Sequence, residues 1–440
     1  MRDPWPVLTL IVVSPTATAA AAPAALPWKT NAPIVTVSRE VYVKHPRPKT
    51  SAWVGVRYIG PGLLREERHT TMARSDTPEK PKRRWSKDNG RTWSDYEPLP
   101  EVVTHPQGVR VYWGGGSIAY DPDHKVLVSI WLRQTHLKGV YYNQLFCRLS
   151  RDNARTWGKA TQLMYEPGDR FDPADPFKRG YLENNQAYCG NNTLRHSNGT
   201  FLHVGATVNI PKGVPIPNPK RLSVMGIPPD SRGIGSVCFI GKWDAARQDY
   251  TWTAGKPVWL SRSVASRGLM EPEVAELKGG RVLVVWRISN AGLDPKEVPG
   301  WKYHSLSTDG GLTLSQPEPW TYDDGARFYS PSSFHRMIRH SVTGKLYWIG
   351  NISPGPTRGN SPRYPLIIAE VDEKTAALKR STVTLIDDRQ AGDSPRLQLS
   401  NFSLLENRET HVLEIYLTRL GEDAKDFWGA DAYKYTLRLK

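Results

Sequence analysis

The feature that most constrains this chain is a turn that occurs three times. Ser86-Lys-Asp88-Asn-Gly90-Arg-Thr92-Trp93, Ser150-Arg-Asp152-Asn-Ala154-Arg-Thr156-Trp157 and Ser307-Thr-Asp309-Gly-Gly311-Leu-Thr313-Leu314 share the form S-x-D-x-G-x-T-W, degenerate at Ala154 and Leu314. The second copy starts 64 residues after the first, and the third 157 residues after the second, which leaves room for two units. Worn copies sit near Trp243-Asp244 and Val371-Asp372. A chain that repeats one tight turn at such intervals builds repeated supersecondary units, and these bury a continuous core by packing on their neighbours.

The turn explains itself locally. The aspartate accepts backbone N–H bonds within its own turn, and the glycine takes positive φ without a Cβ penalty. A second signal runs in phase with it. Apolar, strand-like runs recur at Val126–Leu132, Thr200–Val208, Arg281–Arg287, Lys345–Ile352 and Val412–Leu417, with a weaker one over Pro61–Met72. Each of the six units reads as several short strands joined by Gly, Asn and Asp turns. The 36 Gly and 36 Pro supply punctuation, the 16 Trp supply core volume, and no long helical period is present. Together these predict an all-β fold, a six-bladed β-propeller in one domain over residues 33–440, whose radial repetition protects strand edges. Ile34–Val43 and Tyr433–Leu439 are expected to close the ring together. Trp93 and Trp157 are expected to be buried as plugs between neighbouring sheets.

Charge narrows the partner. There are 59 Lys+Arg against 43 Asp+Glu, a net +16, which fits an anionic ligand. The basic residues are scattered and form no concentrated stripe, which favours an acidic carbohydrate over nucleic acid. Three cysteines with no C-x-x-C spacing support neither a zinc site nor a redox pair, so no metal or cofactor is expected. The apolar run Val7–Val13 and the alanine-rich stretch Thr16–Ala25 read as a secretory leader over residues 1–27, hence a secreted or periplasmic protein. That run is too short to span a bilayer, and no membrane span is expected. Four N-x-S/T sequons, at Asn191, Asn198, Asn351 and Asn401, matter only in a host that glycosylates its secreted proteins.

The three turns, in register with blade strands, resemble the Asp-boxes of the sialidase (neuraminidase) superfamily, and the resemblance extends over nearly all of the chain after the leader. In that family the boxes are structural and lie away from the active site. The site itself uses three arginines that clamp a carboxylate, a tyrosine nucleophile activated by a glutamate, and an aspartate as general acid/base. Arginine forks match a planar carboxylate bidentately. A neutral tyrosine avoids the repulsion that an anionic nucleophile meets beside that carboxylate, an exception to the usual carboxylate pair.

The segment from Glu271 to Arg287 is similar to the one that carries the glutamate and second arginine, and Asn360-Ser-Pro-Arg363-Tyr364 to the one that carries the third. The resemblance implies Glu271 as the catalytic glutamate and Arg287 and Arg363 as the clamp. It implies Asp76, in Ala73-Arg-Ser-Asp76-Thr, as the acid/base, and Tyr329 and Tyr364 as residues lining the centre. At the first arginine Ile59 stands nearest, and Arg57 is close but shifted. Where the tyrosine is expected the chain reads Leu399-Ser-Asn401-Phe402. Three functions therefore stand side by side: an exo-acting glycoside hydrolase for an acidic glycan, nominally an exo-α-sialidase; a polysaccharide lyase on uronic acids, which needs no glycosyl intermediate; and a binding propeller without catalysis. His105 and His335 read as ordinary histidines, and the polar run Glu183–Tyr188 as a further possible contact to sugar hydroxyls.

Overall fold

The computed structural model describes residues 26–99, 102–105, 109–137, 140–208 and 234–440. The expected leader lies almost wholly outside them. Each strand-like run becomes the second strand of a four-stranded antiparallel meander. The first blade is Ser51–Tyr58, Arg65–Met72, Glu79–Ser86 and Glu97–Pro98. The second is Arg110–Asp121, Val126–Leu137, Val140–Ser150 and Thr161–Gln162, with Val102–Thr104 added at its first strand. In the third, two short pieces, Ala187–Tyr188 and Leu194–Arg195, pair with Phe201–Val208, followed by Ile234–Asp244 and Asp249–Ala254. The fourth is Met270–Glu276, Val282–Arg287, Tyr303–Ser307 and Glu318–Pro319. The fifth is Arg336–Arg339, Leu346–Asn351 and Leu366–Asp372, with Ala377–Leu378 and Thr384–Asp387 both pairing to the last of these. The sixth is Ser403–Glu406, Leu413–Thr418 and Ala432–Leu439, completed by Val35–Val43 from the start of the chain. Val35 pairs with Leu439 and Val41 with Tyr433, so the two ends of the chain do close the ring in one sheet.

Apolar clusters fill the seams between successive blades, as a closed ring requires. Trp348 and Trp320 are fully buried between the fourth and fifth blades, and Trp286 between the third and fourth. Tyr435 and Ile415 lie between the fifth and sixth, and Phe239 and Phe146's neighbour Leu145 between the second and third. The seams that flank the first blade are thinner, with Val56 and Tyr416 on one side and Ile59 and Leu127 on the other.

The repeated turn joins the third and fourth strands of a blade. Ser86 Oγ donates to Asp88 Oδ1 (2.8 Å) and accepts from the Gly90 N–H (2.7 Å). Asp88 then accepts from the Thr92 N–H (2.9 Å) and hydroxyl (2.6 Å). The Ser150/Asp152 and Ser307/Asp309 copies repeat these bonds. Gly90 and Ala154 sit at φ 90° and 65°, so the second copy holds a side chain where glycine is favoured. Asp244 and Asp372 cap the same turn in the third and fifth blades by accepting backbone N–H bonds. Trp93 and Trp157 depart from expectation. Both are half-buried, not plugs, because Arg84 and Arg148 stack on their rings at 4.9 and 4.5 Å and keep them at the rim.

Candidate active site

Alternating strand direction gives the propeller two chemically distinct faces. The start of each first strand, the end of each second strand and the loop into the third lie on one face. The S-x-D turns lie on the other. Met270, next to Glu271, pairs with Arg287, so the implied glutamate and second arginine meet at the first of these faces. One extra residue is inserted on the Glu271 strand between the Met270/Arg287 and Glu273/Val285 pairs. This bulge re-aims the side chain, and Glu271 takes φ 42°, a left-handed conformation rare for a glutamate.

Arg287 is buried and bonded through each of its three nitrogens. Nη1 donates to Glu271 Oε1, Nε to Ser332 Oγ (2.9 Å) and Nη2 to Asn360 Oδ1 (3.4 Å). Arg363 is also buried, with Nη1 on Gln398 Oε1 (2.7 Å) and Nη2 on the Ser332 carbonyl (3.3 Å). The two guanidinium groups therefore converge on one serine, brought by loops of the fourth and fifth blades. Arg363 Nε and Glu271 Oε2 are buried with no hydrogen-bond partner, which leaves one donor and one acceptor available in the same place. Burial alone would raise the Glu271 carboxyl. Arg287, then Arg363 and Lys302, outweigh it, and the group is held below the ordinary carboxylate range. Burial and repulsion from Arg287 push Arg363 down to about 10, so it stays charged at neutral pH.

Three asparagines lock the scaffold. Asn351 donates to the carbonyls of Arg363 (3.1 Å), Pro365 (3.0 Å) and Leu399 (3.1 Å). Asn191 donates to those of Glu271 and His335, both at 3.1 Å. Asn290 bridges Val298 and Thr357 and accepts from the Gly359 N–H. Asn351 is fully buried, so this sequon is closed to modification in the folded protein.

Asp76 is exposed in the loop between the second and third strands of the first blade, on the same face, within electrostatic range of Arg363 and Arg267. Arg267, half-buried four residues before Glu271, lies in the field of Arg287, Glu271 and Asp76 and was missed from sequence. Its position just upstream of the glutamate was the available signal. Lys302 was missed too. It is fully buried, donates to the Ser333 carbonyl (2.5 Å), and is held well below the usual lysine range by burial and by Arg287.

The implied tyrosines divide. Tyr329 is half-buried in the extended segment leading to Ser332. Tyr364 donates its hydroxyl to the Pro395 carbonyl (3.4 Å) and lies under Arg389, so it supports a neighbouring loop. Arg57 is a correction. It lies one residue from the end of its strand, opposite Glu66, with which it makes a 2.5 Å ion pair, and so points to the face of the S-x-D turns. Strand direction separates it from the other arginines. Asn401, at the tyrosine position, is exposed with φ 60°. His105 packs edge-on against Phe177, His335 is fully buried against the Val285 carbonyl, and Glu183 pairs with Arg179.

No family model and no curated protein matches this sequence. Solved structures do. A Dyadobacter fermentans protein of unknown function is similar over 92% of this chain and 99% of its own, at 15% identity and a TM-score of 0.57. The NanB sialidase of Streptococcus pneumoniae is similar over 91% of this chain and 69% of its own, at 12% identity and a TM-score of 0.53. An α-L-arabinofuranosidase of Fusarium graminearum is similar over 91% and 97%, at 13% identity and a TM-score of 0.51. The protein thus has the six-bladed propeller fold on which these glycoside hydrolases are built.

Proposed function

We propose that the protein is an exported, exo-acting glycoside hydrolase for a sugar that carries a carboxylate. The observation that carries this reading is the convergence of Arg287 and Arg363 on Ser332 beside an ionised Glu271. In this reading Arg363, with its unpartnered Nε, and Arg267 hold the substrate carboxylate. Arg287 keeps Glu271 charged and oriented. Glu271 Oε2 takes the proton of the attacking group, and Asp76 protonates the leaving oxygen across the mouth. Asn401 in place of a tyrosine favours a water or substrate hydroxyl as the attacking group.

The test is turnover of fluorogenic α-sialosides and uronides by the wild-type protein and by Glu271→Gln. Hydrolysis lost in the variant, with the fold retained, supports the reading. An unsaturated, ultraviolet-absorbing product assigns a lyase, and tight binding without any product assigns a carbohydrate-binding propeller.

A further inference from the structure

Arg57 does not stand alone on the far face. Between the first and second blades lies a cavity of about 430 Å³, lined by Arg57, Arg68, Arg83, Arg148, Arg155 and, among the described residues, a single carboxylate, Glu66. The four seams that do not flank the first blade are filled with apolar side chains. Glu66 is buried and already serves three of these arginines: Arg57 at 2.5 Å, Arg68 at 3.3 Å and Arg83 at 3.8 Å. Arg83 also reaches Glu97 (2.5 Å).

Arg148 has no such partner. Its guanidinium lies over Trp131 (5.0 Å) and Trp157 (4.5 Å), and its Nε is buried without a hydrogen bond. Among the described residues no carboxylate pairs with it. Burial and then the positive fields of Arg68 and Arg83 hold its pKa below the ordinary arginine value. A half-buried guanidinium, its Nε shut off from water and its neighbours Arg68 and Arg83 of like charge, is favoured by an anion that joins it. Two indoles hold the group in place, and the cavity falls within the size range of small-ligand sites.

We propose that this seam is a second ligand site, an oxyanion-binding cleft in which Arg148, Arg68 and Arg83 receive a sulfate, phosphate or carboxylate group, free or carried on a sugar. It lies toward the face opposite Glu271.

The experiment is calorimetric titration at constant ionic strength with sodium sulfate, glucose 6-sulfate and glucose, on the wild-type protein, Arg148→Gln, Arg68→Gln and Arg363→Gln. The expected result is binding of the two anions but not of glucose. Affinity falls at least about tenfold in Arg148→Gln and Arg68→Gln, the loss of one charge-assisted contact, and is unchanged in Arg363→Gln. Equal affinity for both anions assigns a free inorganic ion, and tighter binding of the sulfated sugar assigns a saccharide. Without ligand, Arg148→Gln should melt at or above the wild-type temperature, because a repulsive charge has gone. Wild-type protein that binds neither anion, binding that survives both cleft substitutions, or binding lost in Arg363→Gln overturns the proposal. So does a ligand-free Arg148→Gln that melts well below wild type, since Arg148 would then be structural.

Discussion

The seam between the fourth and fifth blades and the seam between the first and second are built on opposite terms. Seventeen buried apolar residues fill the former among the described residues, Trp320 and Trp348 among them, and three fill the latter. Apolar burial contributes roughly 25 cal/mol per Å² and tolerates few voids, so the first seam is a rigid frame. It is also the seam whose loops carry Arg287, Asn360 and Arg363. The second seam leaves a polar cavity where such a core would be and fills its walls with arginine. The ring closes with the two seams of the first blade thin because the other four supply its apolar core.

Substitutions at the two seams sharpen this contrast. The largest effect belongs to the mouth above the apolar seam. Glu271→Gln should lower kcat/KM for the acidic glycoside by about 10²–10⁴, the contribution of a general base, with the circular dichroism spectrum unchanged. Activity within a few-fold of wild type removes Glu271 from the chemistry. Next, Trp348→Ala should cost about 3–5 kcal/mol in urea unfolding, the usual range for a deleted core aromatic. Trp157→Ala, half-buried at the polar seam, should cost about 1 kcal/mol. Equal losses would mean that the seams are energetically alike.

Asn351→Ala removes one donor shared by three buried carbonyls and should cost about 1–3 kcal/mol. Because one of those carbonyls belongs to Arg363, it should also raise KM more than it lowers kcat, as steady-state kinetics will report. A pH effect comes from the third blade. His203 is fully buried, its Nε2 accepts from the Gly190 N–H (3.2 Å), and burial holds it down to about 4. The unfolded chain takes up a proton near pH 6.5 and the folded one does not. Stability from this group is thus present above pH 6.5 and lost progressively as pH falls to about 4. The melting temperature of His203→Gln should fall less over that interval than that of the wild type. Parallel curves would exclude the histidine. The smallest effect is expected for Arg57→Gln, which should leave kcat/KM within about twofold, since distant sites contribute independently. A loss comparable to that of Glu271→Gln would return Arg57 to the catalytic face.

Much of the frame was legible in the residues. The S-x-D-x-G-x-T-W turns depend on bonds within eight residues, so their geometry follows from local chemistry wherever they occur. The apolar runs in phase with them became the second strands, because a strand buried on both faces is mostly apolar; the weak run is the exception, since Arg65, Glu66 and Glu67 of Arg65–Met72 are buried as ion pairs. Glu271, Arg287 and Arg363 were legible through their segments. Arg57 was misplaced because sequence proximity does not say at which end of a strand a side chain lies, and one strand length separates the two faces. Asn351 read as a sequon, and only the folded chain shows it tying three carbonyls from two loops.

The sequence by itself determined the repeat, the turn chemistry and the all-β class, since these rest on short-range hydrogen bonds and on short apolar runs that recur in phase with the turns. Tertiary structure alone decided which charges meet. Arg287, Ser332 and Arg363 come together across 76 residues of chain, and Arg148 faces Arg68 across 80. Coulombic interaction depends on distance in space and on the surrounding dielectric, and neither is written in the order of the residues.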